Sequence, residues 1–124
     1  MKPRILIVED EAIVGKCLKM DLLARGYEVL PIATTADKAV ELTEKHEPDI
    51  ILMDIVLKGK RTGIDAAREI GETQSIPIFF LTGNTHLLDD IQWVQKAMCR
   101  IISKPVVIEQ LHQFIEETLG MWYQ

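Results

Sequence analysis

Cysteine is scarce in this chain: two residues in 124, Cys17 and Cys99, lie far apart and form no CxxC pair. That spacing indicates neither a disulfide framework nor a zinc site, and it fits a reducing cytoplasm. No apolar stretch approaches the ~20 residues needed to cross a bilayer. Met1-Lys2-Pro3 runs straight into a short apolar segment that ends in three acids, which is not a signal-peptide pattern. The expectation is a cytoplasmic chain with no membrane contact. Charge of one sign is also never concentrated: 14 basic against 19 acidic residues give a formal charge of −5, without a long run of either. Lys58, Lys60 and Arg61 form the only dense basic patch, and it reads as a solvated loop. A surface that tracks nucleic-acid phosphates needs clustered Lys and Arg, so direct nucleic-acid binding is not expected. His46, His86 and His112 are scattered over separate segments and read as surface residues rather than as a phosphohistidine or a metal set. Pro and Gly are sparse, so the chain is neither disordered nor fibrous in composition.

What is present is apolar sequence in short, evenly distributed pieces. Hydrophobic residues make up 48% of the chain, and the length suits a single domain, residues 1–124, with one continuous core. Five apolar runs stand out: 5–8, 27–32, 50–53, 78–81 and 100–103. The first, third and fourth are uninterrupted, as expected of strands buried on both faces in a parallel sheet. The second contains Pro31, which cannot donate to a sheet ladder and so belongs at an edge. The fifth is short and polar at both ends, which suits the other edge.

Helical spacing fills the intervals. Ile13, Val14, Cys17, Leu18 and Leu22 predict one apolar stripe, closed by Gly26. Thr34-Thr35 can cap a second helix, with Ala36, Ala39, Val40 and Thr43 facing inward and Asp37 near its positive end. Ile64, Ala67 and Ile70 mark a third helix. Leu87, Ile91, Val94 and Met98 mark a fourth, and Ile108, Leu111, Ile115 and Leu119 a fifth. Five alternations of strand and helix predict a doubly wound α/β fold with right-handed crossovers. With the Pro31 strand at an edge, the simplest order is 2-1-3-4-5, the flavodoxin-like arrangement whose ligand crevice lies at the carboxyl ends of the strands.

The residues at those ends are Glu9-Asp10-Glu11 after the first strand, Asp54 after the third, Thr82 after the fourth and Lys104 after the fifth. Any one of them reads as an ordinary cap or loop residue. Their joint convergence on one crevice does not. Carboxylates from Glu9, Asp10 and Asp54 held together would push one of their number towards protonation, a conflict that a divalent cation removes. Oxygen-only donors, few in number, favour Mg²⁺ over zinc or an all-protein Ca²⁺ cage. An acidic, metal-holding cluster beside a Lys and a Thr suits phosphoryl transfer, with a carboxylate as nucleophile.

Together, "ILIVEDE" at 5–11, "PDIILMDIVLKG" at 48–59, "GIDAAREI" at 63–70, "PIFFLTGN" at 77–84 and "IISKP" at 101–105 resemble the receiver (response regulator) domain of two-component signal transduction. The pieces follow that family's order and spacing over essentially the whole chain. The resemblance implies that Asp54 accepts a phosphoryl group from a histidine kinase or histidine phosphotransfer protein. It implies Mg²⁺ held by Asp10, Asp54 and the backbone carbonyl of Val56, with Glu9 acting through water. Thr82 and Lys104 would be the switch-coupled phosphate contacts, and Lys104-Pro105 the site of a cis peptide. A downstream effector would be met on the face made by the fourth helix, fifth strand and fifth helix. No enzymatic activity is implied beyond the domain's own phosphorylation and dephosphorylation.

Three departures from the family pattern stand out. Glu9 replaces a common Asp. Ile101 replaces the aromatic that usually swings with the Thr, so a rotating ring cannot couple site to surface. The loop after Asp54 reads Val56-Leu57-Lys58-Gly59 and lacks the common Met-Pro pair. Two other readings compete. A degenerate receiver would bind partners without phosphorylation, against which the set Asp54, Asp10, Thr82 and Lys104 is complete. An Asp-nucleophile Mg²⁺ phosphatase would need a second acid two residues beyond Asp54, where Val56 stands.

Overall fold

The computed structural model describes residues 2–84 and 99–120. In chain order the elements are β1 (Arg4–Val8), α1 (Ala12–Ala24), β2 (Glu28–Val29), α2 (Ala36–His46), β3 (Ile50–Asp54), α3 (Gly63–Thr73), β4 (Ile78–Thr82), β5 (Cys99–Ser103) and α4 (Ile108–Leu119). The helix expected around Leu87, Ile91, Val94 and Met98, together with His86, falls outside the described residues. α4 is therefore the helix expected around Ile108, Leu111, Ile115 and Leu119.

The strands form one parallel sheet in the order β2-β1-β3-β4-β5, as expected. Every residue of β3 and β4 is buried, because helices cover both faces and successive side chains point to opposite sides. One core, under α2 and α3, takes Leu6, Val8, Ile51, Met53, Ile78 and Phe80. The other, under α1 and α4, takes Ile5, Ile7, Ile50, Leu52, Phe79 and Leu81. The Pro31 segment contributes only the short edge strand β2, and β5 is the opposite edge.

Local signals set the helix ends. Thr35 caps α2, its hydroxyl accepting from the Lys38 N–H at 3.1 Å. Gly26, at φ 89°, ends the α1 turn in the left-handed region that glycine tolerates best. α3 opens with a reciprocal box: the Thr62 hydroxyl accepts from the Asp65 N–H, and the Asp65 carboxylate accepts from the Thr62 N–H.

Two expectations need correction. The α1 stripe does not face inward as a whole: Leu22 is fully buried and Leu18 partly so, but Ile13 is 79% exposed and Val14 43%. The buried line runs Gly15–Leu18–Leu22, with Gly15 on the side of Glu9 and Ile32, and the first apolar turn is left outside. The basic loop is not uniformly solvated either. Arg61 holds Asp37 of α2 at 2.7 Å and Glu69 of α3 at 2.6 Å, while Lys58 and Lys60 stay exposed.

Candidate functional site

The sheet register builds the site. Val8 pairs with Met53, so Glu9 and Asp54 emerge side by side from the two central strands. On the other side of Asp54, Thr82 ends β4 and pairs with Ser103, which delivers Lys104 next in chain. The Lys104 N–H donates to the Thr82 carbonyl at 2.8 Å, fastening the amine-bearing residue to β4. The Lys104-Pro105 peptide is cis.

Glu9, Asp10 and Asp54 each offer a carboxylate oxygen, and the three oxygens lie within 4.8 Å of one another. Glu9 and Asp54 are buried, at 5% and 7% exposure, whereas Asp10 is half-buried. The Lys104 Nζ stands 3.3 Å from Asp54 Oδ1 and 3.8 Å from Glu9 Oε1. Glu9 Oε2 accepts from the backbone N–H of Asp10 at 2.9 Å and of Glu11 at 3.4 Å.

The crowding has a measurable consequence. Burial, then the hydrogen bond and negative charge of Asp54, push the Glu9 carboxyl from 4.5 up to about 7, with Lys104 and the Glu11 N–H acting against the rise. The conflict expected among these acids therefore falls on Glu9, and burial is its larger part. Three oxygen donors beside a single ammonium fit a hard divalent cation with retained water. The donor set holds no nitrogen or sulfur, which argues against zinc.

The remaining sequence-derived residues are placed as follows. Thr82 is buried, and its hydroxyl is engaged with the backbone of Asn84, accepting from the N–H at 3.0 Å and donating to the carbonyl at 3.2 Å. Val56 sits in the loop after β3 with its side chain 71% exposed, between buried Ile55 and Leu57. Ile101 is at the surface of β5, 37% exposed, beside buried Ile102. An open cleft of about 650 Å³ leads from Asp54, Glu9 and Lys104 along Ile13, Val14 and Cys17 of α1.

Some contacts were not read from the sequence. Tyr27, buried ahead of β2, meets His112 of α4, with its hydroxyl 2.6 Å from His112 Nδ1. His112 in turn pairs with Glu116 through Nε2. Burial, with the charge of Glu116, pushes the Tyr27 hydroxyl up to about 12. The i, i+4 spacing of His112 and Glu116 was a usable signal; the Tyr27 contact, 85 residues away in sequence, was not. Both cysteines are free, and burial pushes the Cys99 thiol up to about 11, which disfavours its thiolate at neutral pH. Among the described residues no helix is long and apolar enough to cross a membrane.

Comparison with known proteins gives a consistent picture. Residues 5–116 match the response regulator receiver domain. Among curated proteins, the transcriptional regulatory protein PdtaR of Mycobacterium tuberculosis is 44% identical over 79 residues, 64% of this chain. That match spans 38% of the length of PdtaR. Among solved structures, the response regulator PhyR of Brucella abortus superposes with a TM-score of 0.83 at 29% identity, covering 99% of this chain and 50% of that one. The receiver domain of PhyR from Erythrobacter litoralis superposes at 0.84 with 25% identity, covering 96% and 91% of the two chains.

Proposed function

The chain belongs to the response regulator receiver domain family, and from that premise we propose that it is a phosphoacceptor switch whose acceptor is Asp54. The donor is a phosphohistidine on a histidine kinase or histidine phosphotransfer protein. An Asp54 carboxylate oxygen attacks phosphorus, the phosphorus–nitrogen bond breaks, and the donor histidine leaves with the electron pair. Residues 1–124 act as one receiver unit.

One observation carries the reading: at three strand ends, three carboxylates offer oxygens within 4.8 Å of one another and one ammonium stands 3.3 Å from Asp54. Asp10, Asp54 and the Val56 carbonyl would hold Mg²⁺ directly, with Glu9 behind a water. When bound, the ion offsets the negative charge that gathers on the transferring group. Lys104, already 3.3 Å from Asp54, pairs with a phosphoryl oxygen. The Thr82 hydroxyl turns away from the Asn84 backbone to donate to another. The open cleft beside α1 supports approach of a donor from that side.

The change at Thr82 and Lys104 is read by an effector protein or domain on the face of β5 and α4. Exposed Ile101 marks that face, and coupling there proceeds by loop and backbone movement rather than by ring rotation. Free thiols support a cytoplasmic setting. The chemistry is confined to the domain's own Asp54, with no external substrate turned over. Neither nucleic acid nor membrane is bound directly.

Incubation with acetyl phosphate and Mg²⁺, followed by intact mass measurement, tests the assignment. The expected result is one added phosphoryl group on the wild type and none on Asp54→Ala. The same adduct on both proteins would place the acceptor elsewhere.

A further inference from the structure

We infer that Gly63 is a positioning residue for the acceptor and its metal-binding loop: its bare Cα lets the first turn of α3 clasp the end of β3. The inference rests on the reading of Asp54 as acceptor.

Local sequence drives the close approach. The box between Thr62 and Asp65 starts α3 at Gly63 and leaves no freedom to begin a turn later. At that position the Gly63 N–H donates to the Ile55 carbonyl at 2.8 Å, back across the whole loop 55–62. A side chain there has no room. A Cβ built on Gly63 would overlap the Asp54 carbonyl oxygen and lie 2.9 Å from Met53 Cγ and 3.0 Å from the Asp54 carbonyl carbon. The other glycines differ: a Cβ at Gly26, Gly59, Gly71 or Gly83 would meet nothing within 4 Å.

The clasp matters because of what it joins. Asp54 is the last residue of β3, and Val56 lies one residue beyond the carbonyl that Gly63 holds. Fixing the Ile55 carbonyl fixes the peptide plane that precedes Val56, and so limits where the Val56 carbonyl can point. Neither flank can yield easily to an added methyl group. β3 is paired on both sides, and α3 is seated by buried Ala66, Ala67 and Ile70 and by the Arg61–Glu69 ion pair. The displacement would therefore fall on Asp54 and the loop, where the chemistry is. Small misplacements there are costly, since catalysis by positioning tolerates errors well under an ångström.

The test compares Gly63→Ala with Gly71→Ala, a substitution in the same helix that adds the same atom in open space. For each, Mg²⁺ affinity is measured by calorimetry, fold by thermal melting, and the acetyl phosphate reaction by intact mass. Gly63→Ala is expected to stay folded but to lose roughly tenfold or more in Mg²⁺ affinity. Its phosphorylation rate at saturating Mg²⁺ should fall by about a hundredfold. Gly71→Ala should match the wild type in both. Wild-type affinity and rate in folded Gly63→Ala would overturn the inference. If Gly63→Ala does not fold, Asp65→Ala replaces it, loosening the helix start without adding an atom. A several-fold loss of Mg²⁺ affinity in that variant supports the positioning role, and an unchanged affinity overturns it. Failure of the wild type to be modified at Asp54 would sink the proposed function instead, while the Mg²⁺ comparison still decides the role of Gly63.

Discussion

Replacing Glu9 by glutamine probes the electrostatics of the pocket without emptying it. Glu9 is only 5% exposed, and its raised carboxyl, about 7 against an ordinary 4.5, comes first from burial and then from Asp54. In the unfolded chain the group ionises near its ordinary value. Between about pH 4.5 and 7 the native protein thus keeps a proton that the unfolded chain has released. Metal-free stability must fall as pH rises through that window, and the penalty is complete above about pH 7. A rise from 4.5 to about 7, at roughly 1.4 kcal/mol for each tenfold in proton affinity, makes the full penalty about 3 kcal/mol. Glutamine has nearly the same shape and keeps an oxygen to accept from the Asp10 and Glu11 N–H groups, but it never ionises. Urea denaturation in the presence of a chelator should therefore find Glu9→Gln about 1–3 kcal/mol more stable than wild type near pH 8. The two should converge towards about pH 4.5. Excess Mg²⁺ should narrow or reverse the gap near neutral pH, since the ion stabilises the form that holds it best. Parallel stability curves for the two proteins across this pH range, in chelator, would refute the account of Glu9.

Three other outcomes are expected. Gly15→Ala should raise stability by roughly 1 kcal/mol, because helical alanine is favoured over glycine; its Cβ would sit 3.4 Å from Ile32 Cδ1 and 3.6 Å from Glu9 Cβ, where there is just room. A lowered melting temperature would mean that the α1 contact on Glu9 is tighter than described. Tyr27→Phe should cost about 1 kcal/mol by leaving His112 Nδ1 without its partner, and a variant of wild-type stability would show that this contact contributes nothing. Neither Val56 nor Asn84, two residues beyond Asp54 and Thr82, supplies an acid that could activate water. Self-dephosphorylation is therefore expected to be unexceptional, and a phosphoryl half-life of seconds without a phosphatase would contradict this.

Much of this protein was legible in its amino-acid order because parallel sheets encode themselves locally. A strand covered on both faces must be apolar without interruption, so the runs that became β1, β3 and β4 were visible, and Pro31 identified an edge. Once strand order is known, strand tips converge by topology, which is why Glu9, Asp10, Asp54 and Lys104 could be grouped before any distance was known. The rotation of α1 was not legible. An apolar periodicity states that a helix has a buried side, but several stripes fit Ile13 to Leu22, and only packing against the sheet decided that Leu18 and Leu22, not Ile13, face the core. Arg61 likewise read as loop charge, because its partners Asp37 and Glu69 belong to helices that meet only after folding.

Residue types and their spacing determined the sheet, its order and which acids would share a crevice, since those follow from local hydrophobic period and from the geometry of right-handed crossovers. Tertiary structure alone decided that burial raises the Glu9 carboxyl well above its ordinary value, that Tyr27 rests on His112, and that Gly63 lies against the Asp54 carbonyl. Each of these depends on how closely two elements approach. That distance is set by the packing of the whole core and is written in no single segment.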